Sequence, residues 1–412
     1  MTIEPQCRHC SAPLSLTLAD LGVLPIANDY ISIDRYSDME PFYRLHVYVC
    51  RECRLAQIQD FRKSEDLFYE DYPYFSSFST SWLEHAQRYV TAMIERFGLC
   101  PSSEVIEVAS NDGYLLRFVK EAGIPAFGIE PSRSVAKAAQ TNGIDTRIGF
   151  FGRDYAMTLK RDGHMADLMV ANNVLAHVPD INDFVGGFAI LLKTNGVATF
   201  EQQHLLELMK NNQFDTIYHE HYSYVSLIAA QKLFAAAGLR IFDVEHLATH
   251  GGSLRLFVCH ESASHTETHA VREAVADEIA FGLNDDDVYR DWDQGVRRIK
   301  RDLLTLLIDL KSRGKTIAGY GAPAKGNTLL NYCGIGRDFI EFTVDRAPSK
   351  QGMYLPGTRI AVDRPERIFA DKPDYVLILP WNLKDEIKAQ LADVREWGGK
   401  FIIPIPTPMV DE

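Results

Sequence analysis

With 412 residues the chain exceeds what one compact core usually organises, so two or three domains are expected. Its apolar share of 46% and charged share of 24% are those of a soluble globular protein. Lys and Arg number 43 against 56 Asp and Glu, a net charge of −13, which repels nucleic-acid backbones and anionic membranes; neither is an expected partner.

The opening stretch, MTIEPQCRHC, has no basic region followed by an apolar one, so no secretory signal is expected there. No apolar run is long enough to span a bilayer. Seven cysteines, four of them in two close pairs, suit a reducing cytoplasm and metal binding better than a disulfide framework. The pairs are Cys7-Arg-His-Cys10 and Cys50-Arg-Glu-Cys53. Each C-x-x-C knuckle puts two thiolates on a tight turn, and two knuckles complete a tetrahedral shell. The long separation implies a small hairpin insert, and four thiolates leave no open coordination position. A structural Zn2+ is expected, with His9 a bystander.

Beyond the aromatic-rich N-terminal region, residues 80–98 read as a helix closed by Gly98. Strands and helices then alternate: strands at 104–109, 126–130, 146–151, 167–173 and 196–202, with helical stretches between them. A helix at 227–238 and a hairpin-like pair at 239–247 and 252–260 follow. The pattern predicts a doubly wound α/β domain over residues 81–264, after a small zinc-binding domain over 1–80. Residues 265–314 read as connecting helices. From 315 to 412 a second Rossmann-like α/β domain is expected, with strands at 339–345, 374–380 and 400–405 and a helix at 383–398.

Three loops carry the chemistry. The first is E-x-A-x-N-x-G, Glu107, Ala109, Asn111 and Gly113 with Asp112, between a buried strand and a helix. Small residues there let a ligand approach the backbone at a helix N-terminus. Glu130 ends the next strand, where an acid grips ribose hydroxyls, and Asn172-Asn173 end the fourth. The second loop, Phe214 to Tyr222, holds Tyr218, His219, Glu220 and His221. It offers a base, an orienting acid and hydroxyl donors, and its H-E-H lacks the metalloprotease spacing. His177 and His250, beside Gly251-Gly252, could join the same mouth. The third is the turn Gly319-Tyr-Gly321-Ala-Pro-Ala324-Lys325-Gly326-Asn327, whose amides and lysine suit a diphosphate. It also satisfies G-x-G-x-x-A with Asp345 ending the next strand, so a nicotinamide-dependent sugar-nucleotide dehydrogenase is the alternative. A zinc-ribbon RNA or protein adaptor is a further one, opposed by the acidic balance.

Together the four cysteines, Tyr72-Pro-Tyr74, E-V-A-S-N-D-G, Y-H-E-H, His250-Gly-Gly and G-Y-G-A-P-A-K-G-N resemble the deoxysugar C-methyltransferases of bacterial antibiotic and surface-glycan biosynthesis, over nearly the whole chain. The resemblance implies S-adenosylmethionine as donor, held by Glu107, Ala109, Asn111, Asp112, Gly113, Glu130 and Asn172. It implies a nucleotide-diphosphate 4-keto sugar as acceptor, dTDP- or GDP-linked and methylated at C-3; an oxygen or nitrogen acceptor is the alternative within the fold. His221 would be the general base with Glu220 fixing its tautomer; Tyr72, His177 and Tyr218 would line the reacting centre. Gly321, Lys325, Asn327, Tyr222 and His250 would bind the sugar nucleotide. Ala109 stands where relatives often have Gly, and a methyl group is tolerable there if the backbone is helical or extended. A cytoplasmic monomer is expected.

Overall fold

The computed structural model describes residues 5–60 and 76–411. Tyr72 lies outside the described residues. The chain divides into two compact units, each assembled from three stretches. One takes the N-terminal residues to Leu14, then Cys50–His204 and Tyr222–Asn284; the other takes Ser15–Val49, Leu205–His221 and the chain from Asp285 onward.

In the first unit, seven strands form one sheet: β1 (Val105–Val108), β2 (Ala126–Glu130), β3 (Thr146–Ile148), β4 (Ala166–Asn172), β5 (Leu192–Gln203), β6 (Leu239–Leu247) and β7 (Ser253–His260), in the order β6-β7-β5-β4-β1-β2-β3. The five strands from β5 to β3 run parallel, and the β6/β7 hairpin joins antiparallel at β5. All four residues of β1 are buried, as a central parallel strand requires. The β1–helix loop packs directly on Gly128 of β2, where a Cβ would lie 2.1 Å from the Ser110 hydroxyl oxygen. The helix Thr80–Phe97 starts at Ser79, whose side chain accepts from the Trp82 amide at 3.3 Å, and stops at Gly98 in the left-handed conformation. Its buried residues Ala86, Tyr89, Val90 and Met93 join the core around β1.

In the second unit, Leu16–Pro25 and Phe42–Val49 form an antiparallel ribbon, the hairpin insert anticipated between the knuckles, with two slips of register. A 27-residue helix, Asp286–Ser312, buries Val296, Ile299, Leu303, Leu307 and Leu310, a stripe at helical spacing. The sheet comprises β8 (Ile317–Tyr320), β9 (Phe342–Val344), β10 (Ala361–Asp363), β11 (Tyr375–Ile378), β12 (Lys400–Ile403) and β13 (Met409–Asp411), in the order β10-β9-β8-β11-β12-β13. All but β13 are parallel. The helix expected at 383–398 is two pieces, Lys384–Gln390 and a 3-10 segment Ala392–Trp397, because Leu391 leaves helical geometry at φ −105°, ψ 27°.

Candidate functional site

The two knuckles are near copies. Cys7 N–H donates to the Ala12 carbonyl (2.8 Å) and Cys50 N–H to the Leu55 carbonyl (3.0 Å), while Ser11 and Arg54 take the matching left-handed position at φ 61° and 64°. All four sulfurs lie within 4.8 Å of one another; Cys7 and Cys53 are 3.5 Å apart, as are Cys10 and Cys50. Tetrahedral Zn–S bonds of about 2.3 Å require sulfurs roughly 3.8 Å apart, so the shell fits zinc. Gln57 Nε2 donates to the Cys7 sulfur (3.1 Å), an outer contact that suits a thiolate. His9 is engaged elsewhere, its Nδ1 against Asn182 Oδ1 at 2.8 Å.

At the carboxyl ends of β1, β2 and β4 the donor-loop candidates converge. Ala109, Asn111 and Gly113 all take positive φ, 56°, 51° and 79°. The condition set for a methyl group at Ala109, a right-handed helical or extended backbone, is therefore not met. The loop folds back tightly enough for the Asn111 amide to reach Glu130 Oε2 at 3.0 Å, and only left-handed residues allow that. Glu130 Oε1 accepts from the Ser132 amide (2.8 Å), and each oxygen keeps a lone pair for a hydroxyl. Burial raises the Glu130 carboxyl to about 7. Glu107, 1% exposed, is raised well above the usual range by burial, then by Glu130 and Asp112. Among the described residues, Asp112 Oδ1 and Asn172 Oδ1 are buried acceptors without a protein donor. A ligand bringing hydroxyls and positive charge would satisfy this acidic, acceptor-rich set.

The second unit gathers Tyr218, Glu220, His221, Lys325 and Asn327. His221 Nδ1 donates to the Thr216 carbonyl (3.1 Å), which leaves the lone pair on Nε2. Its tautomer is thus set by a backbone group, whereas that task was expected of Glu220. Glu220 Oε2 instead accepts from Asn28 Nδ2 (2.7 Å), and burial lifts its carboxyl to about 7. The partly exposed rings of Tyr218 and His221 lie 4.0 Å apart. His219 is a buried anchor: its Nε2 meets the Tyr43 carbonyl at 3.1 Å, and burial pulls its pKa down to about 4.

In the glycine turn, Gly321 has φ 87°. The Ala322 amide, expected to face a ligand, donates to Asp345 Oδ2 (2.7 Å), and the Ala322 carbonyl accepts from Tyr30 and from Lys350 Nζ (2.7 Å). Lys325 Nζ lies over the Trp381 ring at 4.8 Å, bonded to Asn382; burial lowers its pKa and the Asp215 charge opposes that. Asp215, fully buried, accepts from Trp381 Nε1 (2.6 Å) and is raised to about 6 by burial. Asn327 Nδ2 donates to the Ala27 carbonyl (2.6 Å), tying the turn to the ribbon.

The remaining candidates belong to the first unit. His177 ends a 3-10 turn, Leu175–His177, after β4. His250 is exposed, at φ 55°, before β7. Tyr222 has no exposed surface and packs beneath the Arg8 guanidinium at 5.3 Å. Sequence reasoning passed over Trp82, His85, Glu201 and Arg255, and in the second unit Asn28, Tyr30, Asp215 and Lys350. One signal was available: Glu201 is a carboxylate directly following the mostly apolar run Val197–Phe200 of its strand.

Three family models cover most of the chain: a zinc binding domain at residues 7–68, a methyltransferase domain at 82–244 and a C-methyltransferase C-terminal domain at 248–406. The C-methyltransferase NovU of Streptomyces niveus is 36% identical over 405 residues, 98% of this chain and 96% of that one. The chain belongs to the S-adenosylmethionine-dependent C-methyltransferases. Solved structures with likeness to this methyltransferase include magnesium protoporphyrin IX methyltransferase from Synechocystis with bound S-adenosylhomocysteine, at 16% identity, 44% of this chain, 85% of that chain and a TM-score of 0.35. A methyltransferase from Anabaena variabilis stands at 14%, 43%, 85% and 0.36. Methyl transfer to carbon replaces the dehydrogenase alternative that the glycine turn raised. The methyltransferase uses S-adenosylmethionine and carries a structural zinc on Cys7, Cys10, Cys50 and Cys53.

Proposed function

We propose that this methyltransferase places the methyl group on C-3 of a nucleotide-linked 4-keto sugar, dTDP- or GDP-linked, with His221 as the base. The observation that supports this most is the His221 tautomer: Nδ1–H is held by the Thr216 carbonyl, so in the neutral ring Nε2 is the basic nitrogen. A carbon becomes a nucleophile when the proton beside a carbonyl is removed, and imidazole titrates in the right range for that. Methylation at oxygen or nitrogen would not need such a base.

In this reading Glu107, Ala109, Asn111, Asp112, Gly113, Glu130 and Asn172 hold the donor, which supplies an electrophilic methyl when bound. His221 takes the proton and returns it to solvent. Tyr218, with Tyr72 and His177, donates to the enolate oxygen, and His250 contacts the sugar. The turn with Gly321, Lys325 and Asn327 holds the nucleotide, together with Tyr222. Domain bounds at 80, 264 and 314, a cytoplasmic location and a monomeric state belong to the same proposal.

The test is incubation with methyl-labelled S-adenosylmethionine and a panel of nucleotide keto-sugars, followed by NMR of the product. Label on a ring carbon is expected; label on oxygen or nitrogen, or acceptance of none of the panel, overturns the reading. His221→Asn is expected to lower turnover about 100-fold or more, and normal turnover removes His221 from the base role.

A further inference from the structure

Outside the residues assigned so far, the first unit holds a buried charge network with an aromatic surface attached. Glu201, at the end of β5, has no exposed surface. It takes three donors from three separate elements: His85 Nε2 of the helix Thr80–Phe97 at 2.8 Å, Arg255 Nη2 of β7 at 2.9 Å, and Thr249 Oγ1 of the turn before β7 at 3.0 Å. Arg255 Nη1 also reaches Glu245 (2.7 Å). The His85 ring stacks on Trp82 at 4.9 Å and 20°, and the His250 edge meets the same indole at 5.5 Å. Trp82 and His85 are three apart, hence on one face of the helix.

The other neighbour of the indole is Tyr114, stacked at 6.0 Å. The Tyr114 hydroxyl meets Asn172 Nδ2 at 3.4 Å and faces the Glu107 carboxylate. Trp82 therefore stands beside the donor loop, partly exposed. If Glu130 on β2 takes the ribose, the cationic arm of the donor is drawn towards the acids Glu107 and Asp112. In sheet order that means towards β1 and β4, where Asn172 pairs in register with Glu201. The face of an indole attracts a cation and has no such attraction for a neutral thioether.

We propose that the Trp82 indole receives the sulfonium of S-adenosylmethionine and that Glu201, through His85, is a positioning residue for it. This rests on the reading of the Glu107–Gly113 loop and Glu130 as the donor site. The indole then favours the substrate sulfonium over the product S-adenosylhomocysteine, so that charge loss on methyl transfer weakens the hold and aids release.

The experiment is calorimetric titration of the full-length zinc-loaded enzyme with S-adenosylmethionine and, separately, S-adenosylhomocysteine. For Trp82→Leu, affinity for the sulfonium is expected to fall about 5- to 20-fold with the thioether within about 2-fold. Trp82→Phe, which keeps a ring and tests the idea should the leucine variant fail to fold, gives a smaller selective loss. His85→Ala gives a selective loss of the same sign, which a merely structural role would not produce because both ligands would suffer alike. An unchanged ratio of the two affinities in the Trp82 variants overturns the inference. Glu130→Gln separates the two levels: weakening of both ligands keeps the donor-site reading, whereas no effect on either ends that reading and this inference with it.

Discussion

Ala109 holds φ at 56°, a conformation that costs an L-residue about 1–2 kcal/mol relative to the right-handed region. Its neighbours show why the strain persists: the Asn111 amide reaches Glu130, and the Ser110 amide reaches the Ile129 carbonyl (3.2 Å). Both contacts need the chain to reverse within two residues. Glycine at this position relieves the strain but adds freedom to the unfolded chain, an opposing effect of about 0.5–1 kcal/mol. Ala109→Gly is therefore expected to leave stability unchanged or raise it by up to about 1 kcal/mol, read from urea denaturation. A loss of more than about 1 kcal/mol would mean the methyl makes packing contacts that outweigh the strain.

At the scale of elements, the glycine turn after β8 sharpens the same argument. Gly321 has φ 87°, and a Cβ there would lie 2.5 Å from Pro380 Cδ and 2.8 Å from its Cγ. Gly98, at φ 61°, has open space around its would-be Cβ. Gly98→Ala should thus lose only the conformational difference, about 1 kcal/mol. Gly321→Ala adds overlap with a rigid ring, and about 3 kcal/mol is expected from the two effects together. Equal losses in the two variants would remove the Pro380 contact from the account. Periodicity and punctuation made most elements legible: Gly98 closes its helix, and the strands at 104–109, 126–130 and 167–173 appear where apolar runs meet loop residues. The ribbon Leu16–Pro25/Phe42–Val49 was legible only as an insert, since its register slips break the alternation. The residues of the donor loop could be read locally because they share one loop and the next strand end. The Glu201 network could not be, because His85, Glu201, Thr249 and Arg255 meet only once sheet order is known. The partners that hold Glu220 and Lys325, namely Asn28 and Asp215 with Trp381, likewise come from distant stretches.

Over the whole molecule, burial of acids sets the pH dependence of stability. Glu130 and Glu220 are raised to about 7, Asp215 to about 6, and Glu107 well above its ordinary range, in each case by burial first. Each of these groups binds its proton more tightly folded than unfolded. Its stabilising contribution is whole below the unfolded pKa near 4 and is lost as pH rises through the folded value. His219, lowered to about 4, and His46, also lowered by burial, act the other way and lose their contribution as pH falls below about 6.5. Between pH 5.5 and 7.5 the four carboxyls outweigh the two imidazoles, so the melting temperature of the ligand-free enzyme should fall across that window. For Glu220 alone the loss within that window is on the order of 2 kcal/mol, at about 1.4 kcal/mol per pKa unit. Glu220→Gln removes the titrating group while keeping an acceptor for Asn28, so the variant should gain on the wild type at pH 7.5 and not at pH 5.5. Scanning calorimetry at the two pH values decides it. A wild-type melting temperature that rises with pH, or a glutamine variant equally shifted at both, would mean that these acids are ionised in the folded enzyme and that their surroundings are far wetter than the packing shows.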